Sequence, residues 1–177
     1  MSNKSGIKIF MIGMMGAGKS SIGMSLSDLL GYHFLDIDEL IGVDSYLNKY
    51  SIEQFRLEEI NQINQVNQKY GNYVISVGGG AILSDRNRKI INQHTSFFLR
   101  ASIDCLLSRI AIQKIKRPLI KFNKNGDIDK KNFSNLYNQR ESHYLELANF
   151  VIDTDHLDIL NVAKIIHNKI VSNEVIS

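Results

Sequence analysis

The chain has 177 residues, 44% of them apolar, which is enough for one domain with a sizeable core. Its 21 basic and 18 acidic residues leave a formal charge of +3 with no block of either sign, which argues against a nucleic-acid or membrane-surface binder. The single Cys105 excludes a disulfide framework, and no apolar run approaches the roughly 18 residues of a membrane span.

The first six residues, MSNKSG, lead directly into an apolar run and leave no room for the core of a signal peptide, so a cytoplasmic location is expected. Ile7–Ile12 reads as a buried strand and Gly18–Leu30 as the helix behind it; a second short strand is expected at His33–Asp36. From Ser51 to Lys69 the residues Phe55, Ile60, Ile63 and Val66 fall on or near one helical face. Tyr73–Val77 predicts a third strand, Thr95–Arg100 a fourth, and Ile103–Ile112 the helix after it. A fifth strand at Asn149–Ile152 and a C-terminal helix from about His156 to Val171 complete the pattern. Strands alternating with helices predict βαβ units and a parallel sheet covered on both faces, in a single domain over residues 1–177. The segment 116–132, KRPLIKFNKNGDIDKKN, is charged, carries an Asn-Gly turn signal and the only proline, and reads as a loop-like lid.

The chemistry begins at MIGMMGAGKSSIG, Met11 to Gly23, where Gly13, Gly18, Lys19 and Ser20 stand in the G-x-x-x-x-G-K-[ST] spacing. A strand, a glycine-rich turn and a helix start aim backbone N–H groups at one point, and the helix dipole favours an anion there. Gly16, Ala17, Gly18, Lys19, Ser20 and Ser21 are therefore assigned to the phosphates of a nucleotide, with Lys19 on the β/γ-phosphates and Ser20 on Mg²⁺. By chance alone this spacing arises in roughly one chain in 150 of this length.

A phosphate loop does not by itself choose a reaction. The guanine motif N-K-x-D is missed by one residue in Asn123–Asp127, and the strand at Tyr73–Val77 ends in Ser76 and glycines instead of a metal-supporting acid. The nearest acids are Asp36 and Asp38 in FLDIDELI. Two carboxylates so spaced can divide the work, one supporting a hydrated metal and one facing an acceptor hydroxyl; they can equally serve as a helix cap and a first-turn acid. Gly78, Gly79 and Gly80 in succession suit positive φ or close approach of a ligand to the backbone. Arg56 and Arg140 have the planar fork that matches a carboxylate, although Arg56 can also pair with Glu58 or Glu59 on its own helix and Arg140 can stack on Tyr144. Arg117, in the lid segment, is placed to approach a transferring phosphoryl group.

Together the motifs GMMGAGKSSIG, FLDID, FRLEE, VISVGGG, RPLI and RESHYLELA resemble, in order, those of the shikimate kinase family, and they span nearly the whole chain. The resemblance implies a three-layer α/β/α P-loop kinase fold with a five-stranded parallel sheet, a substrate-binding segment at about 38–70, and a mobile lid at about 116–132. It implies transfer of the ATP γ-phosphoryl group to the 3-hydroxyl of shikimate, a step in making chorismate and the aromatic amino acids, with Mg²⁺ as cofactor and a monomeric protein. By the same resemblance Asp36 and Ser76 support the metal, Asp38 holds or deprotonates the acceptor hydroxyl, and Lys19, Asp38 and Arg117 are catalytic. Arg56, Arg140, Gly78, Gly79 and Gly80 bind shikimate; adenine is expected around Asp153–Asp155, with Asp155 as a contact and Arg109 stacking on it.

One stretch departs from the family pattern. ELIGVDSYLNKYSIEQFR, between Asp38 and Arg56, is several residues shorter than the family's corresponding segment. An alignment anchored on Ser51-Ile52 would place Gln65 where Arg56 is expected, whereas the count back from Gly78 favours Arg56. Two other readings share the phosphate loop: a kinase for another small hydroxy acid such as gluconate, and a non-catalytic nucleotide-binding descendant.

Overall fold

Alternating side chains along the central strands settle the architecture, because each strand must bury both of its faces. In β1 (Lys8–Ile12), Ile9 and Met11 enter one apolar cluster while Phe10 and Ile12 enter another; in β4 (Thr95–Arg100), Phe97 and Leu99 separate from Phe98 in the same way. The structure, a computed structural model, describes residues 6–113 and 128–174. A five-stranded, fully parallel sheet runs in the order β2-β3-β1-β4-β5, with β2 at His33–Asp36, β3 at Tyr73–Ser76 and β5 at Phe150–Asp153.

One face of the sheet is covered by α1 (Lys19–Leu30), α6 (Ile103–Gln113) and α8 (Ile159–Lys169), through Ile22, Leu26, Leu106, Val162 and Ile166. The other is covered by α4 (Ile52–Asn67) and α5 (Asp85–Ile91), through Ile63, Val66 and Ile91. The long α7 (Lys130–Leu147) serves both clusters: Phe133 and Tyr137 belong to the first, Tyr144 and Leu147 to the second. Tyr144 stacks on Phe98 with ring centroids 4.9 Å apart, a pairing worth about 0.5–1.5 kcal/mol beyond the area it buries. These layers make the α/β/α sandwich that the motif pattern implies.

The five strands stand where the sequence reading puts them, β2 and β4 with the same ends. Sequence periodicity does not resolve α2 (Ile37–Ile41), α3 (Val43–Leu47) or α5, because helices of five to seven residues are too short to show a period, nor the 18-residue α7, whose sequence is largely polar. Of the expected lid, residues 116–127, including Arg117, lie outside the described residues. Its remaining end is helical: Asp129 caps α7 by accepting from the Asn132 N–H at 3.0 Å, so the helix starts at Lys130. Among the described residues, no helix is long and apolar enough to cross a membrane.

Candidate active site

Three adjacent strands end level with one another. Ser76 at the end of β3 is in register with Asp36 at the end of β2 and with Met11 near the end of β1. The phosphate loop, the two aspartates and the triple glycine are thereby brought side by side at the carboxyl edge of the sheet, where parallel sheets present their ligand sites.

The loop reaches α1 through Gly16 at φ +83° and Gly18 at φ +87°, a left-handed backbone that side chains disfavour. Gly18 is also the N-cap of α1 and offers no side-chain acceptor, whereas α2, α4, α5, α7 and α8 are capped by Asp36, Ser51, Ser84, Asp129 and Asp158. With no side-chain cap at its start, α1 presents the positive end of its dipole to an anion at the loop. Lys19 Nζ donates to the Met14 carbonyl at 3.0 Å, and Ala17 N–H donates to the same oxygen at 3.1 Å.

Asp36 does two jobs at once. Its Oδ1 caps α2 by accepting from the N–H groups of Asp38 and Glu39, and its Oδ2 accepts from the Ser20 hydroxyl. The cap reading and the metal reading of this residue are therefore compatible. Ser20 and Asp36 juxtapose hard oxygens beside the phosphate loop, which fits Mg²⁺ held by one or two protein groups together with nucleotide phosphates and water. Among the described residues no cluster of three or more His, Cys, Asp or Glu residues forms a self-contained metal cage.

Asp38, Arg56, Glu59, Gly78, Gly79, Gly80 and Arg140 all line one cavity of about 520 Å³, which Ser20, Asp36 and Met15 close on the loop side. The shortened segment forms the outer wall through Val43 and Leu47 of α3, continued by Ile52 and Phe55 of α4. Arg56 faces the cavity while Gln65 is exposed and lines no part of it, so the chain geometry agrees with the count back from Gly78.

The triple glycine is explained by close approach, with none of its members at positive φ. A Cβ on Gly78 would stand 2.7 Å from Asp38 Oδ1 and 2.8 Å from Glu59 Oε1; on Gly80 it would stand 2.8 Å from the Arg56 guanidinium carbon. Gly79 supplies its carbonyl to the Tyr144 hydroxyl at 2.6 Å. Functional side chains thus press directly on this backbone.

Charge is distributed unevenly around the cavity. Arg56 pairs with Glu59 at 2.8 Å, as the i, i+3 spacing allows, and its guanidinium stays partly exposed beside the Phe55 ring. Glu59 is wholly buried; desolvation pushes its carboxyl up to about 7, with Arg56 pulling the other way and Asp38 adding to the rise. Arg140 is 3% exposed, and burial lowers its proton affinity. No carboxylate among the described residues lies within ion-pair distance of it. Two buried atoms here have no hydrogen-bond partner among the described residues: Glu59 Oε1, an acceptor, and Arg140 Nε, a donor. Such atoms are costly unless a ligand completes them.

On the far side of the phosphate loop, Arg109 donates to Thr154 Oγ1 at 3.0 Å and to its carbonyl at 2.5 Å, tying α6 to the turn after β5. Asp155 accepts from Ser102 N–H at 2.7 Å, which holds its carboxyl below the usual range, and Asp153 forms a two-pronged pair with Arg100. Sequence alone does not single out Glu59, Tyr144 or Met14 as part of this centre, although they lie inside the FRLEE, RESHYLELA and GMMGAGKSSIG motifs, and Glu59 sits one helical turn from Arg56.

The sheet order, the glycine-rich helix start and the cavity lined by Arg56 and Arg140 are those of a P-loop kinase with a small-molecule acceptor. The family model described as shikimate kinase matches residues 15–171. Shikimate kinases from Chromobacterium violaceum and Buchnera aphidicola subsp. Schizaphis graminum are 35% and 36% identical to this chain, over 85% and 90% of it and 82% and 94% of their own lengths. A solved shikimate kinase from Acinetobacter baumannii, in complex with shikimate, superposes with a TM-score of 0.83 at 28% identity, covering 97% of this chain and 96% of that one. The chain belongs to the shikimate kinase family.

Proposed function

We propose that this protein transfers the γ-phosphoryl group of ATP to the 3-hydroxyl of shikimate, a step toward the aromatic amino acids. The observation that carries the reading is Arg140. A guanidinium buried to this degree with no carboxylate partner among the described residues calls for an anionic ligand, and it shares its cavity with Arg56 and with Asp38. A ring bearing one carboxylate and several hydroxyls would offer acceptors to both arginines and donors to Glu59 Oε1 and Asp38.

In this reading Arg56, Arg140 and the backbone of Gly79 and Gly80 fix the carboxylate end. Asp38, seated against Gly78, holds the reacting hydroxyl and takes its proton as the oxygen bonds to the γ-phosphorus. The bond from that phosphorus to the β,γ-bridging oxygen breaks, and ADP leaves with its new charge balanced by Lys19 and the positive end of the α1 dipole. Ser20 and Asp36 would hold Mg²⁺, which supplies charge neutralisation at the phosphates. Arg117 is assigned the closing contact to the phosphates, and Asp155 and Arg109 the adenine side. We take the protein to act as a cytoplasmic monomer whose partners are these two small molecules.

The test is ADP release followed with shikimate, gluconate, quinate or no acceptor. Stimulation by shikimate alone is expected; equal rates with and without it would overturn the proposal.

A further inference from the structure

Met14 touches both halves of the centre. It follows Gly13 in the phosphate loop, and its side chain is buried, 1% exposed. Its carbonyl receives Lys19 Nζ and Ala17 N–H, which fixes its backbone to the nucleotide side. Its thioether points the other way: Sδ lies 3.7 Å from Arg140 Nη1 and 4.0 Å from the Tyr144 hydroxyl, across 126 and 130 residues of chain. The Tyr144 hydroxyl in turn donates to Gly79, so the sulfur closes a small network around the buried guanidinium.

The chemistry of that contact is unusual for a buried arginine. A thioether is a weak, polarisable, neutral acceptor. It can seat a guanidinium without cancelling its charge, as a carboxylate would. Arg140 is thereby held in a defined orientation while its positive charge stays available.

We propose that Met14 is a positioning residue for acceptor binding: its sulfur seats the Arg140 guanidinium so that the charge is presented to the incoming carboxylate. This rests on the function proposed above. Because the tie to Arg140 is made by the side chain and the tie to Lys19 by the backbone carbonyl, the two can be separated by substitution.

Met14→Leu keeps the apolar bulk and the loop carbonyl but removes the sulfur. The KM for shikimate is expected to rise about threefold or more, the worth of one modest hydrogen bond, with a smaller fall in kcat. The KM for ATP should stay within about twofold, since no side-chain contact to nucleotide is lost. An unchanged shikimate KM overturns the proposal. So does a parallel rise in both KM values, which marks general damage to the loop. In wild-type protein labelled at the methionine methyl groups, the Met14 resonance should shift on adding shikimate without nucleotide. Absence of that shift overturns the proposal even if the leucine variant fails to fold. Wild-type protein assayed alongside separates the two ideas: if shikimate does not stimulate it, the proposed function fails; if it does and Met14→Leu matches it, the role of Met14 fails.

Discussion

Glu59→Gln tests the electrostatics of the cavity through stability alone. Glu59 is buried, and its carboxyl is raised from the ordinary 4.5 to about 7 by desolvation. A raised carboxylate means that, between those two values, the folded protein holds a proton that the unfolded chain has released. Unfolding then releases protons, so stability from this group is full below pH 4.5, falls as pH rises through the window, and is constant above 7. At about 1.4 kcal/mol for each tenfold change in proton affinity, the loss between pH 5 and pH 8 is about 2.5 kcal/mol. Glutamine preserves the shape and does not titrate. The pull of Arg56 on the carboxylate is already contained in the net value of about 7, so it adds no separate pH dependence to the comparison. Urea unfolding of both proteins at pH 5 and pH 8 should therefore show wild type losing about 2.5 kcal/mol relative to Glu59→Gln as pH rises. If the difference between the two proteins is the same at both pH values, Glu59 is not held protonated by burial and the argument fails. At pH 8, where Glu59 is ionised, the variant should bind shikimate less well, since a neutral amide anchors Arg56 less firmly.

Lys19→Ala should melt normally and lose about 10²-fold or more in activity, as a charge at the β/γ-phosphates acts mostly in the transition state; a melting curve with initial rates decides it. Asp38→Asn should lower kcat by roughly 10²-fold or more while leaving ATP binding intact, measured by steady-state kinetics and nucleotide titration. Arg56→Ala should instead raise the shikimate KM, by about 1.5–3 kcal/mol in binding free energy, more than it lowers kcat. Gly80→Ala should resemble Arg56→Ala in kinetics, because the new methyl group occupies the place of the guanidinium, and wild-type KM values in that variant would refute the close-approach account of the triple glycine.

What the sequence determined by itself is what depends on neighbours along the chain. The phosphate loop is legible because a strand, glycines at left-handed positions and a helix start act within a dozen residues. The central strands are legible because their apolar runs are buried on both faces. The motif order carried the family, and with it Asp36, Asp38, Arg56 and Arg140 as candidates, which the fold brings to one cavity. Tertiary structure decided the rest. Only when β1, β2 and β3 align do Ser20 and Asp36, 16 residues apart, share a hydrogen bond. Only then does Arg140 meet the sulfur of Met14, and Tyr144 the carbonyl of Gly79, 65 residues away. The sequence offers three glycines and two arginines as bare types. The fold shows that the glycines make room for Asp38, Glu59 and Arg56, and that one arginine is paired while the other is buried with no carboxylate in ion-pair reach among the described residues. Burial sets those energies, and burial is a property of the packed chain: the carboxyl of Glu59 is ordinary in the extended polypeptide and is perturbed only once two layers and a sheet edge have taken its water away.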